Sequence, residues 1–230
     1  MTFSETSVTV HPGQTQQITA HITPPSSIDP SILPVFSGFV QVESATETFH
    51  VTYLGVGAAL KDAQVVDNTN TFLGVDLPVL TDPAGTFFTN ATNFTFVGDD
   101  VPQLLVRLDF GTPLLRADLV DPNEKIPTTL NKRSGMSFPQ DITSGTFAQI
   151  KTVGTIFELD FQPRNTDMDD GTGFTVFELD TPTFANGTTI PNGTYKLLLR
   201  ALKVTGDPTN EADFESWLSP IIGVDVPSSS

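Results

Sequence analysis

Apolar and polar residues alternate with a period of two in many short stretches of the chain, a pattern typical of β-strands. The period is clearest at residues 8–10, 17–22, 90–96, 155–161 and 174–179. Residues 35–42, 48–54, 114–120, 195–204 and 219–226 are also predicted to be strands, whereas 102–108 fits the alternation less well. Turn formers such as His11-Pro12-Gly13 and Gly111-Thr112-Pro113 separate several of these stretches. Helical periodicity is scarce, with only Asp207-Pro208 able to begin a short turn of helix. The pattern predicts an all-β fold.

Two of these stretches, 35–42 and 48–54, are close enough to predict a β-hairpin that turns at Ser44-Ala45-Thr46. Gly38 interrupts the first strand and suggests a β-bulge there. Four or five strands in the first 60 residues predict a small antiparallel sandwich. The strand at 195–204 is the longest apolar one and is expected at the centre of its sheet.

Basic residues begin only at Lys61, because residues 1–60 contain neither Lys nor Arg. All three histidines, His11, His21 and His50, lie in that first segment. The change in composition predicts two tandem antiparallel β-sandwich modules, residues 1–61 and a larger module at 62–230.

The overall charge excludes several classes of protein. The 230 residues include 27 acidic and 11 basic side chains, for a formal net charge of −16, and no cysteine. Phosphate backbones repel such a surface, so nucleic acid is not an expected partner.

The lack of cysteine excludes disulfide bonds and thiolate metal sites. No apolar run approaches the roughly 18 residues of a membrane span, and the first 20 residues lack the features of a signal peptide.

A serine-protease triad would need a nucleophile, a histidine and a carboxylate in a suitable setting. His21 and His50 lie in alternating strands, and His11 adjoins a turn. The nearest Gly-flanked serine, Ser134 in Ser134-Gly135-Met136, is a weak match to a nucleophile motif. We therefore expect no catalytic residues and no cofactor.

Acidic residues suggest one metal site. Asn165, Asp167 and Asp169 place oxygen ligands at alternate positions, as at the start of a calcium loop. Asp170 stands where that loop needs glycine, so a solvated hairpin turn is the favoured alternative. The pairs Asp99-Asp100 and Glu211-Asp213 are interpreted as solvated charges.

Four sequons, at Asn90, Asn93, Asn186 and Asn192, are candidate N-glycosylation sites. The alternative is that Asn186-Gly187 and Asn192-Gly193 serve only as turn dipeptides. With the missing cysteines and the acidic charge, the sequons agree with an extracellular or cell-wall protein. Tyr53 and Tyr195 are expected at the core or its edge, whereas Trp217 could cover the sandwich or be exposed.

Two blocks of sequence carry a family resemblance. Residues 33–40, LPVFSGFV, and 49–57, FHVTYLGVG, resemble the fibronectin type III-like domain of large secreted subtilisin-like proteases. Residues 192–202, 206–208 and 217–220 are similar to the C-terminal end of fungal members. The Asp, His and Ser blocks of the family's catalytic domain are not found in this chain.

The resemblance implies a non-catalytic accessory region of a subtilisin-like serine endopeptidase. Such a region would brace the catalytic domain, its partner in cis or upstream, and could help to dock protein substrates. One alternative is a free-standing secreted β-sandwich that binds glycans or cell-wall proteins. Another is a truncated gene product with only a structural role.

Overall fold

The computed structural model describes residues 1–124, 151–166 and 173–228, and this part of the chain contains fourteen β-strands and a few short 3₁₀ turns. The predicted all-β fold is confirmed. Contacts divide the chain into two compact units, Met1–Ala59 and Leu60–Ser230. We call them unit 1 and unit 2.

Unit 1 consists of two small antiparallel sheets. Strands β1 (Thr2–Phe3) and β2 (Ala20–His21) form the first sheet. Strands β3 (Val35–Glu43) and β4 (Thr48–Val56) form the second, which is the predicted hairpin. The prediction of a strand at 8–10 is wrong, and of the strand predicted at 17–22 only β2 forms. Alternation defines the two faces of a strand, but a strand also needs a partner for its backbone hydrogen bonds.

The predicted bulge at Gly38 is also wrong. The β3–β4 register runs without a shift from Val35 opposite Val56 to Glu43 opposite Thr48. Gly38 lies opposite Tyr53, and a Cβ atom at Gly38 would collide with the Tyr53 ring. Position 38 therefore needs a glycine, because the Tyr53 ring occupies the space that a side chain would fill. Gly55 is required in the same way by the ring of Phe36 on the opposite strand.

Unit 2 contains two larger sheets. The four-stranded sheet has the order β11-β8-β5-β6 and the six-stranded sheet the order β10-β9-β12-β14-β7, with β13 also paired to β12. The strands are β5 (Val79–Thr81), β6 (Phe87–Phe88), β7 (Thr92–Phe94), β8 (Gln103–Val106), β9 (Thr112–Val120), β10 (Thr152–Gln162), β11 (Thr175–Glu178), β12 (Gly193–Leu202), β13 (Phe214–Leu218) and β14 (Ile222–Val224). Pairing is antiparallel except between β14 and β7.

The core of unit 2 follows from alternation along these strands. One continuous cluster combines Leu104 and Val106 of β8, Leu115, Ala117 and Leu119 of β9, and Leu197, Leu199 and Ala201 of β12. Because these residues come from both sheets, the two sheets share a core, as in a sandwich. Strand β12 pairs with β9, β13 and β14, which agrees with the central position predicted for it.

Strand β13 lies where the sequence suggested a turn of helix capped by Asp207. The 3₁₀ turn there is Glu211–Asp213, and its N-cap is Asn210, whose side chain accepts a hydrogen bond from Ala212 N at 3.2 Å. Asp207 instead accepts from Thr209 N at 2.8 Å. Strand β13 follows at once and pairs with β12. The predicted loops at 121–150 lie mostly outside the described residues.

Candidate functional site

The β3–β4 hairpin has apolar side chains on both faces. Opposite residues of an antiparallel pair share a face, so Val35 and Val56 lie together, next to Leu54 and then Phe39. We call these four residues the apolar quartet. Phe39, Val35 and Leu54 are 68%, 64% and 75% exposed. The same face turns polar toward the hairpin loop, where Gln41 opposes His50 and Glu43 opposes Thr48.

The other face of the hairpin is apolar along its whole length. It carries Phe36, Gly38, Val40, Val42, Phe49, Val51, Tyr53 and Gly55. Phe36, Val40 and Tyr53 are partly buried, whereas Val42, Phe49 and Val51 remain exposed. An antiparallel sheet in water normally keeps one polar face. This hairpin has one face that is apolar throughout and exposed apolar side chains at one end of the other face, so it is suited to being covered by another surface.

None of the side chains of unit 1 whose burial is described is fully buried. Unit 1 nevertheless supplies 12 of the 18 large exposed hydrophobic residues found among the described residues. Because contiguous exposed apolar side chains are typical of interaction surfaces, unit 1 is the candidate for one. Unit 1 also carries four carboxylates, at Glu5, Asp29, Glu43 and Glu47, and no Lys or Arg. A partner surface that bears basic residues would therefore complement it.

The three histidines of unit 1 are exposed and are well separated in the sequence. His21 is in β2, and His11 accepts the turn hydrogen bond from Gln14 N at 3.0 Å through its backbone oxygen. His50 makes an edge-to-face contact with Phe39, with ring centroids 6.0 Å apart. The His50 ring thus adds to the surface formed by the apolar quartet, through its contact with Phe39. Ser134 lies outside the described residues.

Asn165 links the segment that follows β8 to the start of β11. Its side-chain oxygen accepts a hydrogen bond from Leu108 N at 2.7 Å, and its side-chain nitrogen donates to Thr175 Oγ1 at 3.2 Å. The oxygen that the calcium prediction needs is thus engaged with the backbone. Asp167 and Asp169 lie outside the described residues, so the calcium site stays a prediction. Within the described ranges, no group of three or more histidine or acidic residues is placed to hold a metal ion.

All four sequon asparagines are exposed, but their side chains have different partners. Asn186 Oδ1 accepts hydrogen bonds from Thr188 N at 3.0 Å and Thr188 Oγ1 at 2.7 Å. The side chain of Asn192 forms two hydrogen bonds with the backbone of Val226, a pair that we call the Val226 clasp. Asn192 Nδ2 donates to the Val226 carbonyl oxygen at 2.9 Å, and Asn192 Oδ1 accepts from Val226 N at 3.0 Å. Asn93 lies over Gly223 of β14. Asn90 precedes β7, and its carbonyl oxygen accepts from Thr92 Oγ1 at 3.2 Å.

Tyr53, Tyr195 and Trp217 are all partly buried. Tyr195 and Trp217 both pack against the core cluster of unit 2, and Tyr195 donates to the Pro191 carbonyl oxygen at 2.9 Å. Tyr53 covers Gly38 in the hairpin of unit 1.

Buried charges in unit 2 were missed at the sequence level. Asp118 is fully buried and accepts hydrogen bonds from Arg116, Arg200 and Thr155. Glu211, which was interpreted as a solvated charge, is only 4% exposed and lies 3.6 Å from Arg200 Nη1. That interpretation is wrong, because the 3₁₀ turn places Glu211 against the buried arginine. Asp99 and Asp100 are exposed, as expected. The signal was available: charges that interrupt apolar strands at Arg116, Asp118 and Arg200.

Glu215 is a second buried carboxylate. Its two oxygens accept hydrogen bonds from Val65 N and Val66 N, each at 2.9 Å. Burial raises the pKa of Glu215 to about 7, although the two backbone donors and Lys203 oppose that rise. The residue fastens the first segment of unit 2 to β13 and is buried away from solvent.

Comparison with known families places one part of the chain. Residues 1–54 match the model of the Fn3-like domain. No curated protein matches the chain. In the part of the chain that the structure describes, no helix has the length and apolar character needed to cross a membrane. The chain thus contains a fibronectin type III-like region that ends within the β3–β4 hairpin, and this supports a non-catalytic accessory β-domain.

Proposed function

We propose that this chain is the accessory region of a secreted subtilisin-like serine endopeptidase, and that unit 1 packs against the catalytic domain. The observation that carries the proposal is a hairpin with exposed apolar side chains on both faces, in a unit whose described side chains are never fully buried. Covering its exposed side chains would stabilise the complex by roughly 25 cal/mol per Å² of apolar surface removed from water, before the costs of association.

Three further observations support this assignment. Residues 1–54 match the Fn3-like domain. The blocks at 33–40 and 49–57 are similar to the corresponding domain of subtilisin-like proteases. Unit 1 contributes carboxylates and no basic side chain, so the matching surface of the catalytic domain should have an apolar centre and Lys or Arg at its rim.

A free-standing glycan binder is a weaker fit. Sugar-binding platforms use exposed aromatic rings, but Trp217 and Tyr195 pack against the core of unit 2. The strongly exposed rings, such as Phe39 and Phe49, belong to phenylalanines, which lack the polar group of Trp and Tyr.

The direct test is the transcript sequence immediately upstream of Met1. We expect it to encode a subtilisin-like domain, with its Asp, His and Ser blocks, in the same reading frame. An in-frame stop codon or an unrelated domain there would contradict the proposal. A second assay tests the non-catalytic role: the purified chain should not hydrolyse a peptide substrate. Hydrolysis that persists through purification and in serine-protease inhibitors would overturn this role.

A further inference from the structure

Unit 2 contains a cavity that the proposed function does not use. The cavity has a volume of about 400 Å³ and lies between the end of β10 and the start of β11. Volumes of this size are typical of sites for small molecules or single side chains. The cavity belongs to unit 2 alone, so it is independent of the hairpin surface.

The walls and the rim of the cavity differ in chemistry. Leu108, Leu115 and Phe177 are among the residues that supply an apolar wall. Arg164 is the one charged side chain among the described lining residues, which include no carboxylate. Arg164 is exposed, and no described carboxylate lies within ion-pair distance of it. A guanidinium beside an apolar wall matches a ligand that joins a carboxylate to an apolar group.

The polar rim is held in place by hydrogen bonds. Asn165, which lines the cavity, is fixed between Leu108 N and Thr175 Oγ1. The position of the neighbouring Arg164 backbone is therefore set by β10 on one side and by Asn165 on the other. A site with a fixed rim loses less conformational entropy when it binds a ligand.

A strained residue adjoins the same rim. Phe161 has a φ of 51° and is 83% exposed, directly before the lining residue Gln162. A bulky residue in the left-handed region is an outlier, and such outliers concentrate at binding and active sites. This observation does not depend on the shape of the cavity.

We propose that this cavity binds a carboxylate attached to an apolar tail, with Arg164 pairing with the carboxylate and the apolar wall receiving the tail. Two sources share this chemistry: the free carboxyl end of a peptide with an apolar last residue, and a fatty acid. The tail length and the polar groups next to the carboxylate distinguish the two sources.

The test is calorimetric titration of the full chain with N-acetyl-Leu-Phe and, separately, with decanoate. We expect at least one to bind with a Kd of roughly 0.1–1 mM, a range that suits a ligand of this size. The ligand that binds identifies the source. N-acetyl-Leu-Phe amide and decanamide, which lack the carboxylate, should bind about tenfold more weakly.

Two variants separate the site from general effects of charge. Arg164→Gln should weaken binding of the acid about tenfold, whereas Lys151→Gln, the same change of charge just before the other end of β10, should leave it unchanged. Val176→Phe, which adds volume at a lining position, should abolish binding while the chain still unfolds cooperatively. Absence of binding by both acids at 5 mM, a figure on the order of ten times the expected Kd, would overturn the proposal. So would equal binding of acid and amide, or equal effects of Arg164→Gln and Lys151→Gln.

Discussion

Arg200 and Asp118 form an ion pair inside unit 2, with Arg200 Nη2 2.6 Å from Asp118 Oδ2 and neither side chain more than 1% exposed. The residues belong to the adjacent strands β12 and β9. Arg116 also pairs with Asp118, at 2.8 Å. Asp118 therefore bridges two guanidinium groups whose residues lie directly opposite each other in the sheet, and Glu158 and Glu211 supply the further negative charge.

Removing this carboxylate should destabilise unit 2. Asp118→Asn leaves Arg200 buried without its closest anion, and breaking a buried pair in this way costs about 3–5 kcal/mol. Urea unfolding should show a lower midpoint with an unchanged slope. The double variant Asp118→Leu with Arg200→Met should recover part of the loss, because the buried Arg200 charge is removed together with its anion. The recovery should be incomplete, because Glu211 loses its arginine and Arg116 keeps Glu158 but loses Asp118. A midpoint for Asp118→Asn equal to that of the original chain would contradict the role of the pair.

The pH dependence of stability should reflect Glu215. Its pKa is about 7 in the folded chain because burial outweighs its backbone donors, against an ordinary value of 4.5. Below about pH 4.5 the group is protonated in both states. As the pH rises from 4.5 to 7, the unfolded chain releases the proton and the folded chain retains it. Stability contributed by this group is therefore lost over that window, by roughly 3 kcal/mol, and levels off above it.

The control is Glu215→Gln, which keeps the side-chain shape and cannot ionise. The difference in unfolding free energy between the original chain and this variant should change between pH 4.5 and 7. Lys203 lowers the Glu215 pKa and Asp109 raises it, so both face this group and belong in the same comparison. Asp82 and Asp207, whose pKa values are lowered by hydrogen bonds to Thr86 and Thr209, titrate below this window. A difference that stays constant from pH 4 to 8 would contradict the assignment.

Sequon occupancy should differ between Asn186 and Asn192. The hydrogen bonds of Asn186 reach only Thr188, two residues away, so they can form before the domain folds. Asn192 needs Val226, 34 residues away, and its amide is then engaged. In yeast, with a supplied signal peptide, mass spectrometry should find a glycan at Asn186. Asn186→Gln should remove one glycan unit from the total mass.

Asn192→Gln serves as the matched variant. It should lower the free energy of unfolding by about 1 kcal/mol through loss of the Val226 clasp, with little change in glycan mass. A secreted chain with Asn186 unmodified, or with no loss of stability in Asn192→Gln, would contradict this account.

Alternation in the sequence was enough to predict the β-class and the β3–β4 hairpin, because the period of two and a short turn are local properties. It was not enough for β13, whose formation depends on pairing with β12. The absence of a bulge at Gly38 depended on the Tyr53 ring across the hairpin. The buried position of Glu211, in the 3₁₀ turn, likewise required Arg200, eleven residues earlier in strand β12. These features are set by contacts between strands, which the period of a single strand does not reveal.

The candidate surface was only partly visible in the sequence. The lack of Lys and Arg before residue 61 pointed to a distinct first segment. Strand pairing was needed to show that Val35, Phe39, Leu54 and Val56 lie on one face while Phe36, Val40 and Tyr53 lie on the other. The exposure of Leu54 and Phe39 then distinguished a surface from a core.

The central claim is that the apolar quartet is covered by a subtilisin-like catalytic domain. Calorimetric unfolding of this chain joined to the catalytic domain that we propose tests it most directly. Phe39→Ser combined with Leu54→Ser should lower the unfolding temperature of the catalytic domain by about 5 °C, because two buried apolar contacts are lost. Val97→Ser, at a 61% exposed position of unit 2, is the matched control and should shift that temperature by less than about 1 °C. An unfolding temperature in the double variant equal to that of the control would contradict the claim.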